Sequence, residues 1–304
     1  MMTTLLSRYA STSAFALFCV FTAGCCCCSA MLEGLNNQQA ASPEVQAIID
    51  EFESLDGYAD VTFGEVTDLD LGDTNVVAGD LQKLDQLQSL TRLSLYGLNL
   101  NDEDLAYLRP LNNLETLALY ENNLTGASLD QLAGMKNLSH LDVDDNPIED
   151  AHLSHLKNHP NLEILYLART SVTGEGFAHL SACNQLSELY VSGNSLTDES
   201  MAHLVNVPNL QWVDLSESGI TDAGIEKLRS HRKINTLYLN DNELTDESLK
   251  HLQQMVNLDS LIMSSTKVTD AGIEHLRSLR RLNDVNFDYT ELTDASVPHF
   301  AAMP

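Results

Sequence analysis

Histidine recurs at one spacing in the second half of this chain: His155, His179, His203, His251, His275 and His299 stand 24 residues, or a multiple of 24, apart. A column of imidazoles invites a metal reading, and zinc needs its ring nitrogens about 2 Å from one ion. A 24-residue period puts each histidine on its own structural unit, and neighbouring helices stand about 10 Å apart, so the column reads as helix packing. His152, His155 and His159 share one helical face, without a fourth ligand to complete a site. Asp142-Val143-Asp144-Asp145-Asn146 begins like a calcium loop, then places Pro147 where glycine is required and Leu153 where glutamate is required. These carboxylates offer weak cation binding at most. Gly174-Glu175-Gly176 lacks the third glycine and the lysine of a phosphate loop. No G-x-S-x-G or H-E-x-x-H occurs, and no nucleophile, base and oxyanion donor converge. The sequence therefore predicts no catalytic residue, no metal site, no cofactor and no enzyme.

What positions these side chains is the period itself. Ten units open at Val66, Leu90, Leu114, Leu138, Leu162, Leu186, Leu210, Ile234, Leu258 and Leu282, without insertion. Six offsets in each are apolar, as in Leu186, Leu189, Val191, Leu196, Met201 and Leu204. Units of this length bury their apolar face only by stacking on one another. Alternation in Leu189-Tyr190-Val191 predicts a short strand with Leu189 and Val191 inward and Glu188, Tyr190 and Ser192 outward. A turn slot three residues later holds Asn122, Asn146, Asn194 and Asn242, with Thr74, Thr170, Ser218, Thr266 and Thr290 elsewhere, suited to satisfying backbone groups in the bend. Leu98 breaks that column, which predicts the least regular turn there. Thr197-Asp198, Thr221-Asp222, Thr245-Asp246, Thr269-Asp270 and Thr293-Asp294 start helices, with Thr or Asp as the cap. Cys183 fills a loop slot occupied elsewhere by Leu111, Met135, Val207 and Met255, so it reads as a buried apolar residue.

The pattern L-x-x-L-x-L-x-x-N/T-x-L-T-D-x-G/S-L-x-x-L over residues 66 to 300 resembles leucine-rich repeats of the ribonuclease-inhibitor-like and cysteine-containing type, as in exported bacterial proteins. The resemblance implies an α/β solenoid, a horseshoe of ten 24-residue repeats with a parallel sheet on the concave face and short helices on the convex face. It also implies binding of a protein or ligand without naming one.

Residues 1–30 carry one positive charge, Arg8, and an apolar stretch from Ala14 to Ala23, too short for a membrane span and read as an export signal. Thr22-Ala23-Gly24-Cys25 resembles a lipobox, which implies lipidation at Cys25; ordinary cleavage after Ala30 is the competing reading. Either route predicts export, to the cell envelope or the medium. Residues 31–65 read as a linker and helical cap, with Ser42 and Pro43 starting a helix whose face is Val45, Ile48, Ile49, Phe52 and Leu55, and residues 66–304 as the repeat domain. Cys19 and Cys25 to Cys28 leave Cys183 alone in the repeats, so no disulfide framework is expected. With 44 acidic residues against 16 basic ones the net charge is −28, which disfavours nucleic acid and anionic lipid as partners. Membrane contact is expected only through the lipid.

The outward strand positions and strand exits gather Tyr96, Tyr120, Tyr166, Tyr190, Tyr238 and Tyr289 with Trp212, the only tryptophan. Exposed aromatics favour sheet formation by themselves, but tyrosine and tryptophan also give large contact area at small entropy cost. His140, Asp142, Asp144, Asp145, Glu188, Asp214 and Glu217 lie around them, with Arg92 and Arg169 as the cations. These residues predict a face, spanning repeats four to eight, for a protein or peptide with a cationic surface. The alternative is an envelope or adhesion component assembling through the tenth repeat, which ends at Phe300 without a polar cap. An adaptor for ubiquitin ligases is disfavoured, since no F-box-like segment precedes the repeats.

Overall fold

The computed structural model describes residues 40–303; the export signal, the lipidation site Cys25 and the start of the linker lie outside the described residues. From residue 40 onward the chain builds one sheet of eleven strands in simple sequence order. Strands β2 (Glu65–Asp70), β3 (Arg92–Ser94), β4 (Thr116–Ala118), β5 (His140–Asp142), β6 (Ile164–Tyr166), β7 (Glu188–Tyr190), β8 (Trp212–Asp214), β9 (Thr236–Tyr238), β10 (Ser260–Ile262) and β11 (Asp284–Asn286) follow the repeats. All of these pair in parallel and in register, so that Leu165 of β6 stands beside Leu141 of β5 and Leu189 of β7. The 24-residue spacing dictates this register: a one-residue slip would turn the leucines out to solvent.

In the first nine repeats every one of the six apolar slots is buried, and most are fully covered. Each such leucine contributes roughly 1.5–3 kcal/mol relative to exposure, which is how a chain with short three-residue strands holds together without a disulfide among the described residues. Cys183 is fully buried, and burial pushes its thiol up to about 11, so it is the inert core residue its slot indicates. The same slot holds His159 and His231, buried and bonded to the Met135 and Val207 carbonyls of the preceding repeat.

Two hydrogen-bonded columns join the repeats. In the turn slot, Asn146 Nδ2 donates to Leu119, Val143 and Asp144 carbonyls while its Oδ1 accepts the Leu124 amide, bridging to the repeat before. Where the slot holds Thr170 or Ser218, the hydroxyl covers its own strand's carbonyl and Asn194 or Asn242 of the next repeat accepts its amide. The helix starts form the second column. Thr221, Thr245 and Thr293 are the caps, accepting the amides of Ala223, Glu247 and Ala295, whereas the segments after Thr197 and Thr269 start later, at Ser200 and Ala271, without a side-chain cap. The aspartates beside Thr221 and Thr245 turn away to the next repeat: Asp222 accepts both the amide and the hydroxyl of Thr245, and Asp246 those of Thr269. Thr therefore caps, and Asp joins.

The convex segments are short. Asp222–Leu228 and Asp246–Leu252 are α-helical, whereas Asp150–Asn158, Glu175–Ala182 and Gly272–Ser278 are wound as 3₁₀ turns. At the strand exits, the eighth residue of all ten repeats, from Asp73 and Gly97 through Arg169 to Tyr289, has positive φ. Only two of the ten are glycine, so the bend is imposed by the stack in spite of a local cost of about 1–2 kcal/mol at most other residue types. Leu98 marks a turn with a second left-handed residue, Asn99, matched only by Gly219 in the seventh repeat.

Before the repeats, helix α1 (Pro43–Ser54) starts with Ser42 accepting the Val45 amide and buries Ile48, Ile49 and Phe52. Strand β1 (Tyr58–Thr62), which the sequence reading took as linker, pairs antiparallel with β2 through a turn at Phe63 and Gly64, both with positive φ. In the tenth repeat Leu282, Val285, Phe287, Leu292 and Phe300 are only partly buried, and Val297 is exposed.

Candidate functional site

Side chains directly opposite on neighbouring strands point to the same side of a sheet, so the parallel register fixes the outward face residue by residue. Tyr166 of β6 and Tyr190 of β7 stack with ring centroids 4.4 Å apart and planes 14° from parallel. Trp212 follows at 6.2 Å from Tyr190, and Tyr238 of β9 stacks on Trp212 at 5.4 Å. One aromatic run thus crosses β6 to β9. A separate pair, Tyr96 and Tyr120, stacks at 4.4 Å and 6° at the exits of β3 and β4. All six rings are half-buried. Burial raises the hydroxyl pKa of Tyr96, Tyr120 and Tyr190, and Tyr190 Oη donates to Glu188 Oε2 at 2.9 Å. Trp212 Nε1 is covered and has no acceptor among the described residues.

Between the two aromatic groups lies an acidic gap. Asp142 is flanked in register by Ala118 of β4 and Tyr166 of β6. Its Oδ1 accepts the Asp144 amide at 3.0 Å, and Asp144 Oδ1 accepts the Ala168 amide. Burial is the main reason that Asp142 is pushed up to about 6 and Asp144 to about 7, the neighbouring carboxylate adding to the second. The cations of the face do not neutralise this pair directly. Arg169 is committed to Asp145 through two bonds of 2.7 and 2.6 Å, and Arg92 to Asp68. His140 Nδ1 meets Ser139 Oγ at 2.8 Å, Asp214 accepts the Ser216 amide, and Glu217 is exposed at the strand exit. His140, Asp142, Tyr166, Glu188, Tyr190, Trp212, Asp214 and Tyr238 thus share the outward face of the strands, with Asp144, Asp145, Arg169 and Glu217 at the strand exits. Tyr96 and Tyr120 stand on the far side of the acidic gap from the main run.

Sequence reasoning missed Tyr58. It pairs with Asp70 on β2, is 64% exposed, and extends the same outward face by one antiparallel strand. The alternation Tyr58-Ala59-Asp60-Val61 ahead of Phe63-Gly64 carried that signal, outside the 24-residue frame.

The motifs examined for chemistry find other uses. Asp150 Oδ1 accepts the amides of Gly174 and Gly176, and its Oδ2 the amide and hydroxyl of Thr173. The amide cradle where a phosphate would lie is filled by the protein's own carboxylate. Burial works against that charge, but these bonds outweigh it and hold Asp150 below the usual carboxylate range. Gly174 has φ +92, and a Cβ there would lie 2.2 Å from Ser200 Oγ, so the glycine serves the turn. Among the described residues no three histidine, cysteine or carboxylate side chains gather as a metal would require, and no helix is long and apolar enough to cross a membrane.

No protein-family model matches the sequence, and no curated protein is similar to it at a significant level. Solved structures do resemble it. Internalin C2 from Listeria monocytogenes superimposes with a TM-score of 0.54 at 21% identity, covering 83% of this chain and 93% of that one. A second internalin, inlF from the same organism, gives 0.52 at 18% identity over 89% and 96%. With the repeat frame and the open eleven-stranded sheet, these neighbours show a leucine-rich repeat solenoid. They do not bear on the ribonuclease-inhibitor-like subtype that the motif resembles.

Proposed function

We propose that this protein is a non-catalytic binding module that captures a protein or peptide with a basic surface on its concave sheet. The observation that carries the reading is the run Tyr166, Tyr190, Trp212 and Tyr238, four aromatic side chains in contact on a face with no core to fill. Large rings held in place by stacking lose little entropy on binding, which suits contact with a macromolecule. Because the rings stack on one another, they offer edges and hydroxyls, a surface fitted to side chains and backbone better than to a sugar ring that needs an open aromatic face. Asp142, Asp144, Asp214 and Glu217 supply the negative charge around them. Roughly 40 Å of sheet gives room for an interface of ordinary size.

The test is capture by the purified chain compared with the Tyr190→Ala/Trp212→Ala double variant, at low and high salt, with circular dichroism to verify the fold. Loss of a salt-sensitive partner in the variant supports the reading; identical capture by both proteins removes it.

Export follows from the N-terminal sequence, with lipidation at Cys25 as the anchoring form. Incorporation of labelled palmitate by the wild type and its loss in Cys25→Ala would support the anchor, and an unlabelled wild type would leave secretion. The half-buried apolar residues Leu282, Val285, Phe287 and Phe300 support a second reading, assembly through the tenth repeat. Sedimentation separates the two, since Tyr190→Ala/Trp212→Ala leaves such assembly intact.

A further inference from the structure

Three residues before each strand the chain favours an asparagine whose Nδ2 ties the loop to a carbonyl of the preceding repeat. Asn113 donates to Gln88, Asn161 to Lys136, Asn209 to Asn184 and Asn257 to Arg232. Twice in the last three repeats this column holds a cation instead, Lys233 before β9 and Arg281 before β11. Together with Asn209, Gln211, Asn235 and Asn257 they line a shallow open groove of about 380 Å³ that contains no carboxylate. Lys83, Arg92, Arg169, Arg229, Lys250 and Lys267 pair with carboxylates, whereas Lys233 and Arg281 are two unpaired cations, among the described residues, that one groove brings together. Lys233 Nζ is steered by the neutral Asn209 Oδ1, and Arg281 has no ion pair among the described residues. Asp259, on the same rim, is engaged by Asn283 Nδ2 at 2.7 Å. Neither Lys233 nor Arg281 is paired with a carboxylate among the described residues, so the two cations can take an anion from outside.

We infer that this rim is a second binding site, separate from the concave sheet, which takes an extended peptide segment through two carboxylates. Lys233 and Arg281 are two repeats apart, about 10 Å at the strand spacing, which one three-residue turn of an extended polyproline II segment covers at about 3.1 Å per residue, with both ends on one face. The matching ligand is an acidic segment of the form Glu-x-x-Glu, its carboxylates on the two cations and its backbone within reach of the Asn209, Asn235 and Asn257 amides. At physiological salt charges more than about 8 Å away are largely screened, so the distant carboxylates oppose an anion in the groove only weakly. The inference does not rest on the sheet-face reading, and either can fail alone.

The experiment is an amide-resonance titration of the ¹⁵N-labelled full chain with acetyl-Glu-Ala-Ala-Glu-amide, and in parallel with inorganic phosphate. The expected result is saturable shifts confined to the Asn209, Lys233, Asn257 and Arg281 loops, with a Kd on the order of 1 mM. Lys233→Gln/Arg281→Gln should weaken binding at least tenfold, with resonances elsewhere unmoved to show an intact fold, while Lys83→Gln should have no effect. The inference is overturned by an absence of saturable shifts, by equal binding in the double variant, or by shifts spread over all cations. Phosphate binding as tightly as the peptide would also overturn it, assigning the groove to small anions.

Discussion

Asp198 holds Thr221 at two points across a repeat boundary, its Oδ1 accepting the amide at 2.8 Å and its Oδ2 the hydroxyl at 2.7 Å. The same pair forms between Asp222 and Thr245, Asp246 and Thr269, and Asp270 and Thr293. Because Thr221, Thr245 and Thr293 cap helices, the aspartate that grips each of these also sets the position of that cap. Asp222→Ala should lower stability by about 1–3 kcal/mol, since it leaves two polar groups of Thr245 unpaired in a partly buried joint. Asp222→Asn, which keeps an acceptor, should lose less. Urea unfolding of the three proteins decides this, and equal midpoints would show that the joint contributes nothing.

The strand-exit bend offers a test in the stabilising direction. Ser265 is exposed and has φ 56, a conformation that glycine adopts freely and β-branched residues resist. Ser265→Gly should hold or raise stability, by up to about 1 kcal/mol, and Ser265→Val should lower it by roughly 1–2 kcal/mol. Thermal melts of both variants give the answer; a stabilising valine would mean that the bend relaxes at no cost.

The leucine frame was legible because burial recurs with the period, and the contact of Tyr166 with Tyr190 was legible because equal offsets on parallel strands must be neighbours. The strand-exit column was not. Asp73, Glu121, Arg169, Ser265 and Tyr289 share no side-chain character, only a backbone angle that the stack imposes on them. Asp150 was hidden for a related reason: its ligands, the amides of Gly174 and Gly176, lie in the next repeat and carry no residue-type signal. Thr221-Asp222 showed a helix start, but not that the two side chains serve different repeats. The hairpin that brings Tyr58 onto the face stands outside the period, and the cationic rim emerges only when Lys233 and Arg281 are seen to line one groove.

Asp142 and Asp144 link the face to pH. Both carboxyls titrate higher in the folded chain than the usual 3.8, at about 6 and about 7, so folding disfavours their charge. The stability gained by protonation is full below about pH 4 and is lost as pH rises through 6 and 7. Asp144→Asn should therefore stabilise the protein at pH 8, by roughly 1–3 kcal/mol, with an advantage that fades towards pH 4. Binding of a basic partner should run the other way, strengthening as pH rises through the same interval and weakening in Asp144→Asn. Urea midpoints at pH 8 and pH 4.5 test the stability arm; an advantage that grows on acidification would contradict the burial of this charge.

His159 gives the opposite pH slope. It is 1% exposed, its Nδ1 meets the Met135 carbonyl at 3.1 Å, and its Nε2 has no partner among the described residues. Burial lowers its pKa below the ordinary 6.5, so the unfolded chain binds its proton first and stability falls as pH drops through 6.5. The slot accepts Met135 and Met255 in other repeats, so His159→Met should pack there. At pH 8 the variant should be weaker by about 1 kcal/mol, the bond to Met135 being lost. At pH 5 that deficit should shrink or reverse, because only the wild type must then keep an imidazole neutral. The contribution of Asp142 and Asp144 is common to both proteins and cancels in the difference. A wild-type-minus-variant stability that stays constant from pH 8 to pH 5 would show that His159 takes up its proton without opening the core.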